Sequence, residues 1–244
     1  MPSMDELVSI ADASAFIFTA SIARTGAAAD RAISTDRPTV VVSVEEVLKV
    51  PTGLRGLAHS EVTVQLMRPL ESGRYVFFAE PMAVGQGIAV RELAHLDGTA
   101  RAQREAVSAI DRAYSELIAR RAEEAFLVVL GTTGPVRQLL TPVEAYKRVS
   151  WAVAPCEIER VLKGKKTRRL TLVGPNPGSK RLPRTPALRA GLRAILFLQH
   201  PPKEALSLIP EDDRQGTGFV ADTSDIQPPE KLETILQIVG AGKE

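Results

Sequence analysis

The residues with the most chemical potential are the cations of one stretch. Between Arg160 and Lys203 stand twelve Lys or Arg and no Asp or Glu. Lys163, Lys165, Lys166, Arg168, Arg169, Lys180, Arg181 and Arg184 form its densest part and are the expected contacts for an anionic partner. Such a run binds phosphates or carboxylates by displacing their counterions. Without a partner, the same run is a solvated face. Residues 1–122 carry 13 basic and 15 acidic side chains, and residues 123–244 carry 18 and 14, so only the second half is basic. The formal charge of the 244-residue chain is +2, so no global field draws nucleic acid or a membrane. Phe197 is the one Phe, Tyr or Trp between Arg160 and Lys203, and its apolar strand marks it as core rather than a stacking platform.

The other reactive types are dispersed. His59, His95 and His200 lie in separate loops, without the H-x-x-x-H or carboxylate spacing of a metal site. Cys156 is the single cysteine, which excludes an internal disulfide and a thiolate cluster. Sharing a strand face with Ile158, it reads as a buried structural thiol rather than a nucleophile. Ala221-Asp222-Thr223-Ser224 resembles the Asp-Thr-Gly loop of aspartic proteases, but Ser224 replaces the glycine and no second copy supplies the paired carboxylate. Asp222 and Asp225 read instead as caps at a strand end. No phosphate-binding loop, dinucleotide fingerprint or nucleophile elbow is present. No catalytic residue, metal or cofactor is expected.

The elements that position these residues come in two similar sets. Val40–Val50 places Val40, Val42, Val44 and Leu48 on one face, and Glu46 breaks the alternation, which predicts a bulge or a barrel rim there. Ala13–Ile22, Glu61–Met67, Arg74–Glu80 and Gly87–Leu93 supply four more short strands. Five short strands separated by Gly and Pro predict a small closed barrel. Asp97–Glu123 is an amphipathic helix with a stripe of Val107, Ile110, Tyr114, Leu117 and Ile118, capped by Asp97 or Thr99.

The second half repeats the plan. Ala125–Gly131 echoes Ala15–Ser21 at an offset of 110, Val161-Leu162-Lys163 echoes Val47-Leu48-Lys49 at 114, Leu170–Val173 echoes Val62–Gln65 at 108, and Phe197 echoes Phe77 at 120. Thr217–Asp222 is expected to close a second barrel. Pro228-Pro229 open a last helix bearing Leu232, Ile235, Leu236 and Val239. The expected fold is mainly β with flanking helices: two tandem five-stranded barrels, residues 1–96 and 123–244, each followed by an amphipathic helix. Residues 97–122 form the connecting one.

Val161-Leu162-Lys163-Gly164, Leu170-Thr171-Leu172, and Leu188, Gly191, Arg193 and Phe197 form a pattern of strand, short strand, turn and aromatic strand. Val47-Leu48-Lys49, Val62-Thr63-Val64, Leu70, Gly73, Arg74 and Phe78 repeat it. The pattern resembles the OB-like barrel of the netrin and tissue-inhibitor-of-metalloprotease (NTR/TIMP-like) superfamily, over most of the chain, twice. The inhibitors in that superfamily act through an N-terminal cysteine pinned by disulfides. This chain has neither, so that activity does not carry over.

These readings point to a non-enzymatic interaction or assembly module. It binds protein partners through the variable loops Arg24–Pro38, Thr132–Val149 and Gly174–Thr185 and through the basic face. The alternative is an OB-type nucleic-acid binder using residues 160–203, and an enzyme of unrecognised type stands third. The N-terminus has no basic region before its first apolar run, and no apolar run reaches the roughly 20 residues of a membrane span. A cytoplasmic protein is the expectation.

Overall fold

The computed structural model describes residues 2–28, 33, 36–51, 56–82, 88–139, 151–175, 188–209, 211–214 and 216–241. The chain divides into two compact units, Met1–Glu116 and Leu117–Glu244. It is mainly β, 43% strand against 29% helix, so the helices cover sheets rather than form the cores.

The first unit opens with a helix that the strand patterning did not reveal, α1 (Met4–Ala13). Ser3 Oγ accepts from Glu6 N, and the Glu6 carboxylate accepts from Ser3 N at 2.7 Å, a reciprocal cap. Because α1 takes Ala13, the first strand starts later than expected. The strands are β1 (Phe16–Thr25), β2 (Thr39–Lys49), β3 (Glu61–Gln65), β4 (Arg74–Pro81) and β5 (Ala89–Asp97). They close into a barrel in the order β1-β2-β3-β5-β4. β3 and β5 run parallel, and the other pairs are antiparallel.

Alternation sorts the side chains. Phe18, Val40, Val42, Val44, Val62, Val64, Phe77 and Val90 fill the interior. Ile17, Val76, Phe78 and Leu96 point outward into a second cluster. The bulge expected at Glu46 is there as a pair of register shifts. Glu46 sits opposite Thr19 and Val44 opposite Ala20, which leaves Glu45 extra; Val47 sits opposite Phe18 and Lys49 opposite Ile17, which leaves Leu48 extra. The shifts turn Leu48 out of the barrel into the outer cluster, away from the face it was assigned.

α2 (Ala100–Glu124) starts where expected, with Thr99 Oγ1 accepting from Ala102 N at 3.1 Å. Its buried stripe is broader than expected: Ile110 packs on the outer cluster and Ile118 is fully buried as expected, but alanines carry most of the contact. Ala102, Ala106, Ala109 and Ala113 pack into the outer cluster of the first unit, while Val107 is 41% exposed. Alanine lets the helix backbone lie close over Phe78 and Val76, a contact that hydropathy alone underrates.

The second unit holds β6 (Leu127–Thr133), β7 (Arg137–Leu139), β8 (Trp151–Lys163), β9 (Arg169–Pro175) and β10 (Arg193–Leu198). Two short helices follow, α3 (Lys203–Ser207) and α4 (Glu211–Arg214), then β11 (Thr217–Phe219), a 3-10 turn (Thr223–Asp225) and β12 (Ile226–Gln227). A second 3-10 turn (Pro229–Lys231) leads into α5 (Leu232–Ala241), which buries Ile235 and Val239. The expected second closed barrel is replaced by an open sheet in the order β11-β9-β8-β6-β10-β12, with β7 on β8. The two end strands are consecutive in the chain and are separated by the 3-10 turn. One isolated bridge, Gln199 with Phe219, spans from β11 towards the end of β10.

Facing side chains correct the internal alignment. Val42 and Cys156, 114 residues apart, both face their interiors, opposite Val62 and Leu170, 108 apart. Those two offsets hold. In the first strands, Phe16 and Phe18 correspond to Leu127 and Val129, an offset of 111 rather than 110. In the fourth, Phe77 and Ala79 correspond to Leu196 and Leu198, an offset of 119 rather than 120. Phe197 therefore matches Phe78, not Phe77. A slip of one residue reverses every side chain on a strand. The offset of 111 also carries the buried Leu7 and Ala11 of α1 onto the buried Ile118 and Ala122 of α2. Each five-strand run is thus preceded by a helical turn of the same design.

Candidate functional site

The turn between β8 and β9, Gly164–Arg168, passes close to the junction between α2 and β6. Gly164 has φ +99°, and a Cβ there would lie 2.7 Å from the Phe126 carbonyl oxygen, so only glycine permits the approach. The neighbouring Lys163 donates from Nζ to the carbonyls of Ala125 at 2.6 Å, Glu123 at 3.4 Å and Ala122. It thereby closes the C-terminus of α2, where orphan carbonyls and the negative end of the helix dipole favour a cation. Lys49, at the same place in the first unit, donates to Ala11 O of α1 at 2.6 Å. The Leu-Lys pair repeated in both halves is therefore a helix-closing device, and Lys163, expected to meet an anionic partner, points its ammonium into the fold.

Arg169 pairs with Glu157 at 2.9 Å, and Arg193 pairs with Glu159 at 2.7 Å. The Arg193 pair repeats Arg74 with Glu45 at 2.6 Å, and Thr132 and Ser21 donate to the same two carboxylates. Lys165, Lys166 and Arg168 are exposed and make no ion pair among the described residues. Three adjacent cations of the turn thus remain for a ligand. Lys180, Arg181 and Arg184 lie outside the described residues, as do large parts of the three variable loops.

Reasoning within residues 160–203 missed Phe126, which lies outside them, and weighed His200 only as a metal ligand. Phe126, 36% exposed, and His200 stack with centroids 4.3 Å apart and planes 10° apart. Phe126, Lys165, Lys166, Thr167, Leu170 and Gly216 line a pocket of about 450 Å³. Lys166 and Thr167 also belong to a larger groove of about 1060 Å³ that runs along the β8–β9 hairpin past Arg168. The signal for Phe126 was an aromatic at the helix-to-strand junction, where the alternation of β6 has not yet begun.

The remaining reactive groups are occupied by the fold. Cys156 is 0% exposed, and burial, with the charges of Glu157 and Glu159, pushes its thiol up to about 12, so it is not a thiolate. Asp222 accepts from Ser224 N, and Asp225 accepts from Asp222 N and Ala221 N, so the Asp-Thr-Ser motif is a capping box. Asp225 is fully buried and its pKa is raised by burial, partly offset by those backbone bonds; Arg121 approaches it at 3.5 Å. His95 Nδ1 lies 2.5 Å from Glu92 Oε1, and Glu92 Oε2 accepts from Met67 N at 2.9 Å. That buried carboxylate ties β5 to the residue after Leu66. Among the described residues no group of three or more His, Cys, Asp or Glu is placed to hold a metal ion, and no helix is long and apolar enough to cross a membrane.

No protein-family model matches the chain, and no curated protein matches it.

Proposed function

We propose that the chain is a non-enzymatic binding module, built from a duplicated OB-like unit, that takes a polyanionic partner on the β8–β9 turn of its second unit. The observation that carries this is the set of three exposed cations, Lys165, Lys166 and Arg168, on a turn that packs closely beside Phe126 at Gly164. Their acidic neighbours Glu157 and Glu159 are already neutralised by Arg169 and Arg193. The surface is therefore positive without being self-paired, and a closely packed turn presents it.

The strand order β1-β2-β3-β5-β4, with its single parallel pair, supports the OB-like reading of the first unit. In the second, β9 and β11 supply the parallel pair, and a fifth strand interrupted by a 3-10 turn accounts for the open sheet. An NTR/TIMP-like ancestry stays a proposal that rests on the repeated Val-Leu-Lys and Gly-Arg patterns.

The test compares the full chain with a variant carrying Lys165→Ser, Lys166→Ser and Arg168→Ser. Both are titrated with polyglutamate and with a mixed single-stranded oligonucleotide. Binding of either polymer that falls about tenfold or more between about 50 and 200 mM salt, and is lost in the variant, is the expected result. Absence of binding to both at low salt overturns the proposal.

A further inference from the structure

We infer that the polyanion is a single strand of nucleic acid, with one base stacked on Phe126 and the adjoining phosphates on Lys165 and Lys166. This rests on the polyanion reading above and goes beyond it by naming the ligand class. An acidic peptide needs cations alone. This site couples its cations to an exposed aromatic ring. The pocket that Lys165 and Lys166 share with Phe126 is walled otherwise by Leu127, Leu170, Thr167 and Gly216, and among the described residues no acidic one lines it. An apolar slot beside two ammonium groups matches a base joined to its phosphate, whereas a carboxylate side chain leaves the slot unfilled.

The ring is held ready. His200 stacks on it at 4.3 Å, and the Phe126 backbone N–H donates to Leu198 O at 3.0 Å. The close approach of Gly164 to the Phe126 carbonyl brings the next residue, Lys165, to line the same pocket as the ring. A platform already ordered before binding loses little entropy when a base lands on it. Stacking of this kind tolerates any base, because every base has a π-face.

The site also has a direction. Lys166 and Thr167 lie in both the pocket and the hairpin groove, and Arg168 lines the groove beyond them. A strand that places one base in the pocket therefore continues along the groove with its backbone over Lys166 and Arg168. Three phosphates neutralised in this way give a slope of about −2 in a plot of log affinity against log salt.

The experiment measures binding of three labelled polymers of equal charge to the full chain: an oligonucleotide, an abasic deoxyribose-phosphate oligomer and polyglutamate. The same set is run on Phe126→Leu, which keeps an apolar side chain at the junction, and on Lys165→Ser with Lys166→Ser. Fluorescence of Trp151, which packs edge-on to Phe219, reports that each variant is folded. The expected result is an oligonucleotide bound about tenfold tighter than the abasic oligomer, a preference erased by Phe126→Leu, and a loss for both in the lysine variant. Equal binding of oligonucleotide and abasic oligomer overturns the base-stacking inference and leaves the polyanion module standing. So does polyglutamate bound at least as tightly as the oligonucleotide. Binding of none of the three overturns both.

Discussion

The two units share a plan and differ at its last strand. In the first, β4 and β5 pair over seven positions, from Tyr75 with Asp97 to Pro81 with Val90, and the barrel closes. In the second, Thr217–Phe219 lies parallel to β9 as Ala89–Arg91 lies on β3, 128 residues earlier. Gln227, however, sits opposite Ile195 as Leu96 sits opposite Val76, and this separation is 131 residues. The three extra residues match the length of the 3-10 turn Thr223–Asp225. That turn is stabilised by its Asp222 and Asp225 caps and by Arg121, whose Nε donates to Ser224 Oγ at 3.0 Å. A short insertion able to satisfy its own backbone thus opens a sheet without unfolding it. The fold tolerates the break because the neighbouring pieces, β11 and β12, each keep a partner strand.

Position 92 and its counterpart 220 offer the sharpest way to break the comparison. Glu92 is 3% exposed and serves Met67 N and His95, while Val220 is 0% exposed among Leu172, Leu188 and Leu198. Val220→Glu buries a carboxylate with no cation assigned to it and should cost on the order of 3–5 kcal/mol. Glu92→Val leaves a donor unpaired and should cost about 1–3 kcal/mol. Urea denaturation of both measures the contrast. If Val220→Glu proved the milder change, the assignment of these positions as counterparts would be lost.

Next in size is the lysine that closes each helix. Lys163 reaches three carbonyls around the C-terminus of α2, and Lys49 reaches Ala11 O of α1, so each unit has a lysine at its helix end. Lys163→Met should lower stability by about 1.5–3 kcal/mol, the range for hydrogen bonds to a charged group. Lys49→Met should lower stability in the same range. Amide exchange at the C-terminal turns of α1 and α2 localises each effect. Fast exchange far from those turns would show that the lysines do something other than cap.

Much of this was legible because strand alternation is a strong local signal. Val40, Val42, Val44, Val62 and Val64 face inward as their spacing requires. What the sequence hid has particular causes. α1 is only ten residues long, and its signals, the Ser3–Glu6 capping box and the short stripe of Leu7, Val8 and Ala11, fill barely three turns. The packing face of α2 is alanine, which a search for large apolar residues passes over. The repeat was visible, but its register in the first and fourth strands was not, since neighbouring apolar residues such as Phe77 and Phe78 make both faces look alike. Of the site, Lys165, Lys166, Arg168 and Arg169 were legible as charge. Phe126 was not, and neither was its pairing with His200, because the two lie before and after the hairpin and meet only through the sheet.

The alanine stripe gives the third contrast, since the first unit is covered by small residues of α2, whereas the part of α2 in the second unit buries Ile118. Ala109→Leu overpacks the contact with the outer cluster and should cost about 1–3 kcal/mol. Val107→Asp, on the exposed side, should change stability by no more than about 0.5 kcal/mol. Thermal unfolding of the pair decides whether alanine or valine marks the buried face. Equal losses would restore the stripe that hydropathy suggested.

The smallest effect concerns Cys156, which stands where the first unit has Val42. Cys156→Val changes little volume and should move stability by less than about 1.5 kcal/mol at neutral pH. Its pH dependence is more informative. The thiol ordinarily ionises at 9.0, and burial pushes it up to about 12 in the folded chain. Above 9.0 the unfolded state gives up this proton while the folded state keeps it, so alkali favours unfolding. Wild type should therefore lose stability relative to Cys156→Val as the pH rises above 9.0, with the difference still growing towards about 12. Tyrosines and lysines titrate in the same window, and the comparison between the two chains removes their contribution. Parallel curves would mean that the folded thiol ionises as readily as the unfolded one. The interior of the second unit would then admit water at Cys156, and the open sheet would be open in a stronger sense than its strand pairing implies.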